Sequence, residues 1–488
     1  MSTPAELWRV DAVEQADLRR RGEISPTEAV ETAVERARLV GPAINAFAHT
    51  RFDDAVTDAA SIGSDPPFAG VPFAVKDWKC TTAGQPSTWG MQAFVDAERV
   101  ADVTTELARR YERAGLVSIG RTSLPELAFG PPTTEPDAHG PCRNPWNPSL
   151  SVGGSSGGSA AVVAAGIVPV ANASDGGGSL RIPAACTGLV GLKVSRGRIS
   201  NSPHAEGRGT KVEGHLARTV RDVAALLDAS AGALPGEPYG LPPAEQPYAL
   251  AHSLPSPRLR IGFMVDAPGT MDADRPSQGV SNVVAVERAA SMLESLGHEV
   301  VQAHPDVLDE PMRAANLYAA ERASLRATIE DVLGRPLEHH DVEPRTWAMF
   351  ELANSSTGPA VIDELQREQV WARRLHRWWR GAPTDDGFDL LLTPTLGRDV
   401  PPIGELKETA DDPLGASIRG FPMAWFTYPF NVSGQPAISV PCLPPTGDQP
   451  PVSVQFVAAI GREEQLLQMA AAMEAAVGWP TWWPPVQP

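Results

Sequence analysis

Cysteine is scarce in this 488-residue chain: four residues, at positions 80, 142, 186 and 442, with no CxxC spacing. That excludes a small disulfide scaffold and a zinc ribbon, and it makes reduced thiols in a cytoplasm the expectation. Long apolar runs are missing as well. The longest, 160–171, is interrupted by Gly166 and Pro169 and falls short of the roughly twenty residues that a bilayer-crossing helix needs. The first twenty residues hold no apolar stretch behind a basic cluster, so the formula of a secretory leader is absent. Positive charge is in deficit, with 41 Lys and Arg against 59 Asp and Glu and a net −18. Such a field repels phosphate polymers and anionic membrane surfaces, so neither nucleic acid nor a membrane is expected as a partner.

What is present is a globular balance, 42% hydrophobic and 20% charged. The 48 prolines are scattered rather than clustered, which reads as many fixed loops. Helix and strand patterns alternate. Ser25-Pro26-Thr27-Glu28 has the form of an N-cap with proline at the first helical position, ahead of a helix over 29–40. Strands are predicted at 71–77, 116–120, 259–265, 299–302, 388–392, 437–440 and 451–458, and helices at 103–114, 283–296 and 463–477. Residues 305–380 read as mostly helical, an inserted lobe. The stretch 130–159 is dense in Gly, Pro, Ser and Asn. It is too long for a mere connection and is expected to carry function. His339-His340-Asp341 lacks any HExxH or CxxC companion and does not read as a metal site.

Two segments stand apart: Ser151-Val152-Gly153-Gly154-Ser155-Ser156-Gly157-Gly158-Ser159 and Asp175-Gly176-Gly177-Gly178-Ser179-Leu180-Arg181-Ile182-Pro183-Ala184. Glycine-rich turns expose backbone N–H groups that hold anions or developing negative charge. A phosphate loop would need a lysine followed by Ser or Thr, and a dinucleotide fingerprint would need a strand before its glycines; neither is present. The remaining use for such donors around a serine is an oxyanion hole for acyl transfer, and that chemistry requires a base. No histidine lies in either loop. Lys76, at the end of the first predicted strand, is the better candidate.

Lys76-Asp77 after an apolar strand, the two glycine-serine segments, and Ser155 and Ser179 set 24 positions apart resemble the amidase signature family. The likeness extends to Gly188-Leu189-Val190-Gly191-Leu192-Lys193 and to the segment 431–441, and so spans most of the chain. Thr133-Thr134-Glu135-Pro136 followed by Arg143-Asn144-Pro145-Trp146-Asn147 looks most like the branch of 6-aminohexanoate cyclic dimer hydrolases. The resemblance implies a Ser, cis-Ser, Lys triad, with Ser179 as nucleophile, Ser155 as bridging serine after a cis Gly154–Ser155 peptide, and Lys76 as base. It further implies an oxyanion hole from the N–H groups of Gly176, Gly177, Gly178 and Ser179, with Asp175 and Arg181 orienting the loop. Ser156 is a secondary hydrogen-bonding residue of that loop.

A neutral Lys76 needs a pKa brought down from about 10.4 towards about 7 to 8. Strand alternation turns Asp77 away from it. The implied fold is a single α/β domain over 1–488, a twisted mixed sheet covered by helices on both faces. Within it are N-terminal helices over about 1–65, a signature core over about 66–230 and a helical insertion over about 305–380. No metal or organic cofactor is implied, the ligand is a small-molecule amide, and a homodimer is common among relatives. A hydrophobic cleft suits aliphatic or aryl chains, so Trp78, Trp89, Phe129, Trp425 and Phe426 are pocket candidates. The family often has a bulky residue where this chain has Gly176, and Ile or Val where it has Leu180; the first departure is expected to loosen the oxyanion loop or widen the acyl pocket. Other readings are an aryl-acylamidase, esterase or carbamate hydrolase with the same triad, an amidotransferase subunit active only in a complex, a cysteine amidohydrolase using Cys142 or Cys186, and a non-catalytic binding module.

Overall fold

Consecutive residues of the central strands fall into different hydrophobic clusters: Phe73 and Ala74, Val170 and Ala171, Leu390 and Leu391, Phe456 and Val457. Strand side chains alternate between faces, so this division means that one sheet carries a core on each of its faces. The structure, a computed structural model, describes residues 4–486 apart from 64, 206, 270–278, 311–314 and 381–386. Among the described residues the strands are β1 (Phe47–Thr50), β2 (Pro72–Lys76), β3 (Val117–Thr122), β4 (Val170–Asp175), β5 (Val190–Lys193), β6 (Val212–Ala217), β7 (Arg260–Phe263), β8 (Glu299–Gln302), β9 (Leu390–Pro394), β10 (Ala437–Leu443) and β11 (Val452–Ala458). They form one sheet in the order β1-β3-β2-β4-β6-β5-β10-β11-β9-β7-β8. It is mixed: β2 runs parallel to β3 and β4, and β7 to β8 and β9, while the remaining pairs are antiparallel. The α/β class expected from the sequence is the one observed.

Local signals account for the element ends. Ser25 caps the helix Pro26–Ile44, its Oγ accepting from Glu28 N while the Glu28 carboxylate accepts from Ser25 N. The helix Glu106–Ala114 stops at Gly115 in the left-handed region. The helix over Glu463–Val477 has the predicted bounds. β4, β5 and β6 were not expected, and they are the strands beside the glycine-serine loops. Along β4 every residue is buried, so no polar alternation marks it as a strand. Residues 305–380 contain the helices Ala315–Ala323, Arg326–Leu333, Pro344–Asn354 and Gly358–His376. No described helix is long and apolar enough to cross a membrane.

Candidate active site

β2 and β4 lie side by side and parallel, with Phe73 opposite Val170 and Ala74 opposite Ala171. Their C-terminal ends therefore share one edge of the sheet, the edge at which open α/β sheets place ligands. β2 ends in Lys76; β4 ends in Ser174 and Asp175 and leads straight into the glycine loop. Lys76 is 1% exposed. Its Nζ donates to Ser155 Oγ at 2.8 Å and to Ser174 Oγ at 2.9 Å. Burial brings its pKa down to about 7, with the charges of Glu213 and Asp175 opposing the fall. Asp77 faces elsewhere: its carboxylate accepts from Thr88 N, Thr88 Oγ1 and Arg121 Nε at 2.7 to 2.9 Å.

The Gly154–Ser155 peptide is cis. A side chain at Gly154 would overlap the Thr133 carbonyl, so the serine loop is seated against the 133–134 segment by a glycine that cannot be replaced in place. Ser156 stitches the two glycine-serine loops together. Its Oγ donates to Ser174 O at 3.1 Å and accepts from Ser174 N at 3.2 Å, and its own N–H donates to Ser179 O at 3.0 Å. Ser159 is a buried packing residue that contacts Thr122 Oγ1 and donates to Asn172 O.

The glycine loop is held from beneath by a buried polar network. Asp175 accepts from Arg181 Nε at 2.9 Å and Nη2 at 3.0 Å, and from Asn431 Nδ2 at 2.9 Å. Arg181 in turn donates to Asn431 Oδ1 and Gln455 Oε1, each at 2.7 Å. Burial pushes the Asp175 carboxyl up, but the Arg181 guanidinium, its hydrogen bonds and Lys193 outweigh it and hold the group well below the usual carboxylate range. The Gly178 N–H donates to Asp175 Oδ1 at 2.7 Å. It is thus spent on holding the loop, which removes Gly178 from the four N–H groups expected to face a substrate oxygen. The N–H groups of Gly176, Gly177 and Ser179 have no acceptor among the described residues, and all three residues line the cavity. Gly178 has φ of +127°, and a side chain there would overlap Thr427 Oγ1, so the turn demands glycine. At Gly176 a Cβ would stand 2.9 Å from Lys211 Cγ; the stem of Lys211 fills part of the volume that a bulkier residue would take.

The cavity over this loop measures about 770 Å³, and Ser155, Ser174 and Ser179 stand in its wall. Trp78 and Phe129, expected in the pocket, also line it. Trp425 and Phe426 do not: they are buried in the core cluster with Phe430 and Val457. The backbone there is helical, and Phe421, Ala424 and Tyr428, spaced three and four apart, take the cavity face instead. Trp89 packs at a tilt against Trp78 and Phe94 and does not line the cavity. The sequence reading missed Ser174, Asn431 and Gln455. Ser174 immediately precedes the glycine loop, and Asn431 opens the 431–441 segment, so both were within reach of motif inspection; Gln455 carries no local signal. Cys142 and Cys186 are fully buried, line no part of the cavity, and have thiols pushed upward by burial, which removes the thiol-nucleophile reading. Among the described residues no group of three His, Cys, Asp or Glu is placed to hold a metal ion.

With this geometry in hand the chain compares closely with known amidases. The Amidase family model matches residues 28–467. The chain is 40% identical to the 6-aminohexanoate-cyclic-dimer hydrolase of Paenarthrobacter ureafaciens, over 97% of this chain and 96% of that one. It is 36% identical to the putative amidase AmiC of Mycobacterium tuberculosis over 97% and 96% of the two chains. A solved 6-aminohexanoate cyclic dimer hydrolase complexed with substrate superposes with a TM-score of 0.91 at 38% identity, covering 99% of each chain. A bacterial aryl acylamidase of the same family superposes with a TM-score of 0.80 at 26% identity over 96% and 98%. The chain therefore belongs to the amidase signature family and is an amidohydrolase acting on amide bonds.

Proposed function

We propose that the chain cleaves carboxylic amides through an acyl-enzyme on Ser179, with Ser155 relaying the proton and Lys76 as base. Neutral Lys76 takes the Ser155 proton as Ser155 takes that of Ser179, and the freed Oγ of Ser179 attacks the amide carbon. The developing oxyanion is met by the free N–H groups of Gly176, Gly177 and Ser179, dipoles already oriented before the charge appears. Collapse of the tetrahedral species returns the proton through Ser155 to the departing amine. Water then enters by the same relay in reverse and releases the acid.

The observation that carries this reading is a lysine held out of water between two serine hydroxyls at the wall of the cavity, with a pKa of about 7. A base poised there is matched to neutral pH. The substrate class is an aliphatic or aryl-bearing amide, cyclic or linear, of the size of an amide dimer. The apolar wall of Trp78, Phe129 and Phe421 supports it, as does the 40% identity to a cyclic-dimer hydrolase. We place the enzyme in a reducing cytoplasm, which suits four free, buried cysteines; the homodimer common among relatives is tested by sedimentation. The test of the scheme is labelling with a sulfonyl fluoride followed by peptide mass spectrometry. An adduct on Ser179, lost in Ser179→Ala along with turnover of amide substrates, is expected. An adduct on another residue, or turnover retained above a few per cent in Ser179→Ala, contradicts it.

A further inference from the structure

The cavity has two unlike walls. One is the glycine loop; the other is formed by helices Ala315–Ala323 and Pro344–Asn354, from which Tyr318, Arg322, Arg345, Met349 and Leu352 face inward. The two arginines differ in how far they are compensated. Arg345 pairs with Glu343 at 3.2 Å and with Glu408 at 2.9 Å. Among the described residues Arg322 pairs with one carboxylate, Glu321, whose Oε2 lies 3.4 Å from Nη1 and also accepts from Arg208 at 3.0 Å. Its guanidinium carbon sits 3.6 Å from the Tyr318 ring centroid and 4.9 Å from that of Phe129, so the plane is fixed by aromatic contact rather than by ion pairing. The Arg322 Nε–H is buried and has no acceptor among the described residues.

The cavity is also lined by Lys211, Glu213, Arg345 and Glu364; among these charged groups Arg322 combines an unspent N–H, a shared counter-charge and an orientation held by two rings, the features of a receptor for a planar monoanion. We propose that Arg322 binds the carboxylate of the substrate, and that the preferred amides are linear chains ending in a free carboxylate seated beside Tyr318 and Phe129. This rests on the amide-hydrolase reading and narrows it. A cyclic dimer carries no carboxylate, so Arg322 turns the chain towards acyclic acidic amides and away from lactams.

Binding is measured without turnover, by titration calorimetry on the Ser179→Ala protein. The probes are two matched pairs: adipic acid mono-anilide and its methyl ester, with the carboxylate on the acyl side, and N-benzoyl-aminohexanoic acid and its methyl ester, with the carboxylate on the amine side. In at least one pair the acid is expected to bind at least tenfold more tightly than its ester. Adding Arg322→Met should abolish that difference, while Arg322→Lys should keep part of it. Equal affinity for acid and ester in both pairs, or a preference that survives Arg322→Met, overturns the proposal. Because the readout is affinity, an acid preference accompanied by no hydrolysis in the wild-type protein counts against the amide-hydrolase reading and not against the role of Arg322.

Discussion

In the proposed mechanism the amine of Lys76 carries the chemistry, because the fold disfavours its proton. In an unfolded chain the group holds that proton up to about pH 10; in the fold it gives it up at about pH 7. Two consequences follow with fixed signs. Activity should rise about tenfold per unit as pH climbs towards 7 and then level off; a kcat/KM profile still flat at pH 5 would contradict a neutral base. Between pH 7 and about 10 the unfolded chain binds one proton more than the folded one, so this group adds stability as pH rises and penalises the fold below 7. Lys76→Met should therefore be inactive yet more stable than wild type at pH 7, with the advantage shrinking towards pH 10 in urea titrations. At Asp175 the direction is opposite in kind: Asp175→Ala leaves Arg181 buried and uncompensated, at an expected cost of about 3–5 kcal/mol in chemical denaturation.

At the scale of elements, the helix Pro344–Asn354 is tied to the cavity rim by three carboxylates grouped around Arg345. Glu126 accepts from Glu343 N at 2.9 Å, Glu343 accepts from Asp137 N at 2.9 Å, and Glu408 pairs with the guanidinium. Burial, and for Glu343 the neighbouring charge of Glu126, raises both Glu126 and Glu343 into the neutral range. The stability they contribute is complete below the ordinary carboxylate range and is lost as pH rises through about 7 to 8. Melting curves should show Glu126→Gln losing less stability than wild type between about pH 5 and 8; an equal loss would exclude the cluster as the cause. Elements also mark where sequence reading succeeds and fails. The helix Glu463–Val477 and the strand β8 were legible because periodicity and flanking glycines delimit them. β4, β5 and β6 were not, because strands buried on both faces lose the alternation that identifies them.

Over the whole molecule, the site is assembled from segments that are distant in sequence. Lys76, Ser155 and Ser179 could be singled out in the sequence because glycine and serine crowd around two of them and a strand ends at the third. Arg322 and Gln455 were not assigned roles, since each reaches the loop or cavity only through the sheet order that brings β10 and β11 beside β5 and the helices over the edge. Trp425 and Phe426 failed as pocket residues for the related reason that composition marks an aromatic but not the face of the helix it occupies. Asn431→Ala, in the network beneath the glycine loop, should lower stability by about 1–3 kcal/mol by removing a buried acceptor of Arg181 and a buried donor to Asp175. An unchanged denaturation midpoint would show that the network does not support the loop.

The chain has only five lysines, so the protonation of Lys76 is open to direct observation by NMR of lysine labelled at the side-chain nitrogen, with Lys76→Met assigning the signal. A resonance titrating near pH 7 is what a neutral amine beside Ser155 and Ser174 predicts. A resonance that titrates near pH 10, as in a solvated lysine, would contradict the base on which the proposed chemistry depends.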